Sequence, residues 1–241
     1  MNKLITRILR AIQWRTAVFS ENLAEVLESR VSVEDISNIR KSNPLLIDAV
    51  RIKKCYDELS DLHLDYCTRY SDKVHVVSLE QAAFLLNACR LLTPNRVVDL
   101  GSGFSSYVVR KYAKESRNAD VCTVDDNASW LNKTAEFLKE RDLPVNGLIL
   151  ASDFFKNAGS SSFDFVFYDL GNMQIRREYF EETLKLFDTK NRSIMLIDDV
   201  HKSDYRSFVV NTLRERKINF LNLKKVTLDD YGRYSFAIIP E

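Results

Sequence analysis

The 241-residue chain predicts an α/β fold: a mostly parallel sheet wrapped by helices, preceded by a helical extension. Three observations carry the prediction. Five short apolar runs show little polar alternation, amphipathic stretches separate them, and a glycine-rich turn follows the first run. Runs without alternation suit strands buried on both faces, the condition of a parallel sheet covered by helices. Hydrophobic residues make up 45% and charged residues 29%, which excludes a disordered, collagen-like or fibrous chain.

Taken in order, residues 1–76 read as a helical extension. Leu4, Ile5, Ile8, Leu9 and Ile12 recur at helical spacing with Lys3, Arg7 and Arg10 on the other side. A second helix is expected from Ser20 to Glu28. Asn43-Pro44 marks a helix start, and Leu45 to Tyr70 carries a third helical pattern. Residues 77–241 form the sheet domain. Strands are expected at Arg96–Leu100, Val121–Val124, Gly147–Leu150, Phe163–Tyr168 and Ser193–Ile197. Helices are expected near Ser105–Lys114, Ser129–Glu140, Arg176–Phe187 and Asp204–Arg216. Phe220–Thr227 and Arg233–Ile239, joined by Leu228-Asp229-Asp230-Tyr231-Gly232, read as a closing antiparallel hairpin.

Composition also removes function classes. Lys and Arg number 35 against 34 Asp and Glu, a formal net charge of +1, which argues against a general nucleic-acid binder. No apolar run approaches the roughly 18 residues that cross a bilayer. Cys55, Cys67, Cys89 and Cys122 contain no C-x-x-C pair and read as reduced thiols of a cytoplasmic protein. The N-terminus has no uninterrupted apolar core and no small-residue cleavage site, so it is not a secretory signal. The basic helix within residues 1–20 has three readings: cover for a homodimer interface or the core, contact with an anionic membrane surface, or closure over substrate.

The most informative stretch is Val97-Val98-Asp99-Leu100-Gly101-Ser102-Gly103-Phe104-Ser105-Ser106. A strand ends in an acid, a glycine turn follows, and a helix opens. Glycine lets the backbone turn sharply and approach a ligand closely. A second acid, Asp125, ends the next strand about two dozen residues later. A dinucleotide site wants a third glycine beside the pyrophosphate, where this chain has Ser106, and Asp99 would repel that anion. An acid before the glycines suits a ligand with an amino group, which favours S-adenosylmethionine over NAD.

On these residues the chain resembles the class I S-adenosylmethionine-dependent methyltransferases, over about residues 77–241. The resemblance implies a Rossmann-like sheet of seven strands with the last antiparallel. Their D/E-x-G-x-G motif matches Asp99-Leu100-Gly101-Ser102-Gly103, implying that Gly101, Ser102 and Gly103 line the methionine moiety while Asp99 reaches its amino group. The acid ending the second strand matches Asp125, implying a grip on the ribose hydroxyls that Asp126 shares or takes over. The acid after the third strand matches Asp153, implying contact with the adenine amino group, with Phe154 as a ring neighbour.

A narrower resemblance runs to small-molecule O-methyltransferases of the catechol and caffeoyl-CoA type. It rests on Ser78-Leu79-Glu80-Gln81-Ala82-Ala83-Phe84-Leu85, on the strand ending Tyr168-Asp169, and on Met195-Leu196-Ile197-Asp198-Asp199-Val200. It implies Ser78 beside the cofactor and Asp169, Asp198 and Asp199 as oxygen ligands to Mg²⁺, which would orient and acidify a substrate hydroxyl. The chain departs from that pattern where the group has a general-base lysine, since position 172 is Asn172. His201 or Asp169 then serves as base in a metal-free alternative. His63 and Trp130 read as structural, and Asp164 as a strand-start cap rather than a ligand. His75 is read as structural or as an edge of the substrate pocket.

The sequence thus points to a cytoplasmic S-adenosylmethionine-dependent methyltransferase, an O-methyltransferase acting on a small-molecule acceptor. Alternatives are an NAD(P)-dependent oxidoreductase and a non-catalytic cofactor-binding module on the same fold. Nucleic-acid methylation is set aside. Tyr168-Asp169-Leu170-Gly171 stands where amino-directed enzymes have Asp/Asn-Pro-Pro-aromatic, and no cysteine follows a proline.

Overall fold

The computed structural model describes residues 47–117, 119–158, 162–187 and 193–238. The helices expected within Leu4–Ile12 and Ser20–Glu28, the Asn43-Pro44 start, and the dimer and membrane readings of residues 1–20 lie outside the described residues. Among the described residues no helix is long and apolar enough to cross a membrane.

Helix α1 covers Ala49–Arg69, starting later than the proline suggested. Asp48 caps it, accepting from the backbone N–H groups of Val50 and Arg51 at 2.8 and 3.1 Å, the local bond that makes Asp a preferred helix start. Its buried residues Ile52, Cys55, Tyr56, Leu59, His63 and Tyr66 recur at three and four, which makes one face. Helix α2, Leu79–Leu92, is buried almost all round, with Ala82, Ala83, Phe84, Leu85 and Leu86 at zero exposure. A helix apolar on every side must lie inside the protein, and α2 packs against α1 and the helices Phe104–Ser116 and Lys224–Thr227 in one apolar cluster with the strands.

The sheet domain then alternates as expected: β1 (Arg96–Leu100), α3 (Phe104–Ser116), β2 (Asp120–Asp125), α4 (Ala128–Lys139), β3 (Leu148–Leu150), α5 (Ala151–Asn157), β4 (Phe165–Tyr168), α6 (Met173–Leu186), β5 (Ile194–Ile197), α7 (Ser203–Glu215), β6 (Phe220–Asn222), α8 (Lys224–Thr227) and β7 (Phe236–Ile238). The seven strands lie in the order β3-β2-β1-β4-β5-β7-β6. β1 to β5 pair in parallel, and β7 runs antiparallel to both β5 and β6. The seven-strand, mostly parallel sheet with a reversed last strand is therefore the fold observed.

Several details differ from the sequence reading, which named neither α2 nor α5 and expected a longer last strand than Phe236–Ile238. Phe163 lies outside β4 and forms a lone parallel bridge to Phe187. Asp164 has the structural role expected of a strand-start cap, but it serves the start of β1, accepting from the backbone N–H groups of Asn95 and Arg96 at 2.8 and 2.9 Å. Only Phe220–Asn222 of the expected Phe220–Thr227 strand is extended, because Lys224–Thr227 turns into α8. Helix α6 begins three residues before Arg176, since the Asn172 side chain accepts from the N–H groups of Gln174 and Ile175. That early start puts Arg176 in the helix's first turns, close to the end of β4.

Alternating strand residues face two apolar layers. One holds Val97, Phe165, Phe167, Ile194 and Leu196 against α1, α2 and α3. The other holds Val98, Leu100, Val166, Tyr168, Met195 and Ile197 against α6 and α7. The register places Leu100 opposite both Val124 and Tyr168, and Tyr168 opposite Ile197. Gly101, Asp169 and Asp198 consequently emerge side by side at one edge.

Candidate active site

The strand order turns back between β1 and β4, and at that switch an open α/β sheet forms a crevice at its C-terminal edge. The pairing continues one residue past the strands: Gly101 N–H donates to Val124 O at 2.7 Å, Asp169 N–H to Leu100 O at 2.7 Å, and Asp198 N–H to Tyr168 O at 3.0 Å. The loops leaving β1, β4 and β5 are therefore anchored by the sheet itself. They surround a cavity of about 490 Å³, within the usual range for small-ligand sites.

One wall is the glycine turn. Gly101 sits at φ +115, and a Cβ there would press on the carbonyl of Asp169, 2.7 Å from its carbon, so this position excludes every side chain. Ser106, which stands where a dinucleotide site has its third glycine, accepts from Gly103 N–H at 3.1 Å and donates to Asp99 Oδ2 at 2.6 Å. Asp99 does not line the cavity. It lies fully buried beneath the turn, also accepting from Thr123 Oγ1 at 3.3 Å. Burial pushes its carboxyl up to about 6, against the Ser106 hydrogen bond and the Arg110 charge.

Asp125, at the end of β2, does line the cavity. Its Oδ2 accepts from Ser102 N–H and Ser102 Oγ, each at 2.7 Å, and its Oδ1 from Asn127 N–H at 2.8 Å. Burial raises this carboxyl, and the Ser102 bonds hold it back. Asp126 is exposed on the same wall. It faces Gly171, where an added Cβ would come within 2.8 Å of Asp126 Oδ1. Trp130, which the sequence suggested as a packing anchor, also lines the cavity, with the Lys133 ammonium 4.3 Å from its ring centroid.

The opposite wall is ionic. Asp169, Asp198 and Asp199 all reach the cavity, together with Arg176 and Lys202. The Arg176 guanidinium pairs with Asp169 through Nη2, and its Nη1 lies 3.2 Å from Asp199 Oδ2. Lys202 Nζ is 2.8 Å from the same Asp199 oxygen. Asp198 Oδ1 accepts from Ser235 Oγ at 2.8 Å and from Asp199 N–H at 2.7 Å. Burial raises Asp169 and Asp198, while Arg176 and Lys202 outweigh burial at Asp199 and lower it. This donor set does not fit Mg²⁺. A hard divalent ion needs six or more oxygens turned toward it, and here the carboxylates are turned toward cations and N–H groups. Among the described residues no three His, Cys, Asp or Glu side chains are grouped to hold a metal ion.

The remaining expected site residues lie elsewhere. Ser78 is the buried N-cap of α2, accepting from Gln81 N–H at 3.1 Å. Asp153 is an exposed acid in the first turn of α5, and Phe154 packs into the apolar layer against Phe155 and Phe163. None of the three lines the cavity. His201 does not line it either, sitting behind Asp199 with Nδ1 3.5 Å from Asp199 Oδ1. Burial lowers its imidazole, against the pull of Asp199. His63 is buried and bonded through Nε2 to Val77 O at 2.8 Å, whereas His75 is exposed at the mouth, its Nδ1 2.9 Å from Asp72 Oδ1. From the extension, Tyr66, Val74 and Val76 complete the wall.

Arg176 and Trp130 are among the wall residues that sequence reasoning missed, as are Lys202, Arg233 and Tyr66. For Arg176 a signal existed: Asn172 is a strong helix cap, and a helix begun there carries position 176 back toward the strand end. Nothing in one sequence separates Trp130 from a core aromatic.

No family model matches the chain, and no curated protein matches it in sequence. Solved structures do match in shape. The O-methyltransferase TomG from Streptomyces achromogenes, involved in tomaymycin synthesis and solved with S-adenosylmethionine, is 19% identical at a TM-score of 0.55 and aligns over 79% of this chain and 90% of its own. An O-methyltransferase from Bacillus cereus, in complex with S-adenosylhomocysteine, is 18% identical at 0.58 over 77% and 90%. The S-adenosylhomocysteine-bound methyltransferase PaMTH1 from Podospora anserina is 15% identical at 0.57 over 79% and 88%. The strand order, the reversed β7 and these likenesses agree: the chain has the class I methyltransferase fold.

Proposed function

We propose that the protein is an S-adenosylmethionine-dependent methyltransferase acting on an oxygen of a small-molecule acceptor in the cytoplasm. The observation that carries this reading is the cavity itself. It sets a glycine turn and a strand-end carboxylate, Asp125, across from a second group of acids at the ends of β4 and β5. The turn has no Cβ to keep a ligand away, and Asp125 Oδ1 accepts only one of the hydrogen bonds it can take. Those features fit an adenosyl cofactor, held by Gly101, Ser102, Gly103, Asp125 and Asp126. Asp99 supports the turn from below. Ser106, which stands where a dinucleotide site has its third glycine and is tied to Asp99 and Gly103, disfavours a pyrophosphate.

Such a cofactor supplies a methyl group carried on a sulfonium. The chain's own part is to bind, orient and deprotonate the acceptor. Val74, Val76 and Trp130 offer an apolar bed, and Tyr66 and Phe104 close the floor. Residues 77–241 hold the cofactor while the 1–76 extension helps to build the acceptor pocket. Asp169 is the proton acceptor: its carboxyl is part-exposed on the wall, and burial raises its basicity toward neutral. His201 stands one shell back. Holding both reactants on one rigid edge provides most of the acceleration. The four cysteines are free thiols, in keeping with a reducing compartment.

A thermal-shift series with S-adenosylmethionine, S-adenosylhomocysteine and NADH tests the cofactor. A ligand at about 100 times its Kd stabilises by roughly 2.7 kcal/mol, about 5–10 °C at roughly 2–4 °C per kcal/mol. The two adenosyl ligands are expected to give that shift and NADH none. A shift with NADH alone replaces the methyltransferase by an oxidoreductase.

A further inference from the structure

The acids at the ends of β4 and β5 stand where the O-methyltransferase resemblance implies a divalent ion, and the chain puts a cation of its own there. Arg176 is nearly buried, its side chain 7% exposed. Its guanidinium touches Asp169 through Nη2 and approaches Asp199 at 3.2 Å through Nη1. Nε lies 3.3 Å from the carbonyl oxygens of Leu170 and Gly171, and Nη2 3.3 Å from that of Asp169. The backbone behind it is equally fixed, with Tyr168 Oη donating to Arg176 O at 2.6 Å and Arg176 N–H donating to Asn172 O at 2.9 Å.

We propose that Arg176 is a built-in counter-cation that holds Asp169 and Asp199 in place and keeps divalent metal out of the site, so that any methyl transfer here is metal-independent.

Three features support this beyond proximity. A guanidinium is charged at every working pH and is planar, so it can face two carboxylates and a row of carbonyls at once. It cannot swing out cheaply, because removing one partner of a buried ion pair strands the other. Lys202 adds a second cation on Asp199, and Ser235 Oγ and Asp199 N–H both donate to Asp198 Oδ1. A metal arriving at this wall would meet the positive charges of Arg176, Lys202 and Arg233, and would find Asp169 Oδ1, Asp199 Oδ2 and Asp198 Oδ1 already engaged. Arg176 acts through Asp169, as a positioning residue. Only the metal-independence clause rests on the methyltransferase reading; exclusion of metal is a property of the folded chain.

The test uses the full chain, stripped of metal with EDTA and dialysed, with Mn²⁺ as probe followed by electron paramagnetic resonance of the free ion. Wild type is expected to show no saturable binding up to millimolar Mn²⁺. Arg176→Met keeps the aliphatic stem and removes the charge, and is expected to gain saturable binding at least tenfold tighter than wild type. Arg176→Lys restores a cation and is expected to bind no better than wild type. A purely structural role would not create a metal site, nor would lysine then abolish it. Saturable wild-type binding that Asp199→Asn removes overturns the proposal. So does a folded Arg176→Met protein, by circular dichroism, that still binds no Mn²⁺. If Arg176→Met does not fold, Arg176→Gln takes its place, and the wild-type titration decides in either case. The S-adenosylhomocysteine thermal shift, run on the same samples, separates failure here from failure of the cofactor assignment.

Discussion

Asp99 is a carboxyl with no exposure at all, held at about 6 where its ordinary value is 3.8. At 1.36 kcal/mol per pKa unit, ionising it in the folded protein costs roughly 3 kcal/mol. The direction follows from linkage. Below pH 3.8 the group is protonated whether the chain is folded or not, and its contribution to stability is fully present. As pH rises through about 6 the folded protein must ionise a buried group, and that contribution is lost. Asp99→Asn removes the titration while keeping the shape. The amide oxygen can accept from Ser106 Oγ as Asp99 Oδ2 does at 2.6 Å. The amide nitrogen takes the place of Asp99 Oδ1, a buried atom without a hydrogen-bond partner. Imperfect pairing of that nitrogen takes back roughly 1–2 kcal/mol. The net gain at pH 7.5 is therefore about 1–2 kcal/mol, or roughly 2–8 °C in Tm. At pH 4 the gain from removing the titration has shrunk to about 0.5 kcal/mol, so the pairing cost leaves the variant melting roughly 1–6 °C below wild type. Scanning calorimetry at both pH values decides it: a variant that melts no higher than wild type at pH 7.5 means that Arg110 and the hydroxyls stabilise the charged form more than burial opposes it.

Two further predictions concern the cavity. Asp125→Ala leaves Ser102 N–H and Asn127 N–H without their acceptor and removes the carboxylate assigned to the ribose. Affinity for S-adenosylhomocysteine should fall by about tenfold to a hundredfold, at roughly 1.4 kcal/mol per tenfold, by isothermal titration. Unchanged affinity would move the ribose site to Asp126. Asp169→Asn should lower turnover by roughly 10²–10⁴, the usual weight of a positioned base, whereas His201→Ala should lower it less than tenfold. The reverse ranking in single-turnover assays would make His201 the base and require the loop after β5 to move.

The sheet was legible because its strands are buried on both sides. Val97, Val98, Phe165, Val166, Phe167 and the run Ile194–Ile197 have zero exposure, and full burial leaves an unbroken apolar run in the sequence. Boundaries were less legible, since single side chains set them: Asp48 and Asn172 each accept two backbone N–H groups at the start of their helices, and either cap overrides periodicity by several residues. In the site, glycines and strand-end acids were readable because chain direction puts them at one edge. The roles of Arg176 and Trp130 were not. An arginine in an amphipathic helix, beside Arg177 and Glu178, looks like part of the solvated face, and only the meeting of α6 with the β4 and β5 loops turns it inward. Asp153 and Phe154 show the converse: they match a pattern in spacing, yet α5 directs Phe154 into the core and leaves Asp153 in solvent.

The two sides of the cavity are not independent. Gly101 N–H is bonded to Val124 O, and Leu100 O receives Asp169 N–H, so the glycine turn and Asp169 hang from adjoining rungs of one ladder. The missing Cβ at Gly101 lets the Asp169 carbonyl pass against the turn. Arg176 then fixes the Asp169 carboxylate from the far side. The distance between the part of the wall suited to a methyl donor and the proposed proton acceptor is therefore set by backbone hydrogen bonds and a buried ion pair, not by loop flexibility. Positional precision of a few tenths of an ångström is what an in-line transfer requires. On the metal-independent reading proposed for Arg176, a strand edge held in this way is what supplies that precision, and the Arg176–Asp169 ion pair is part of it.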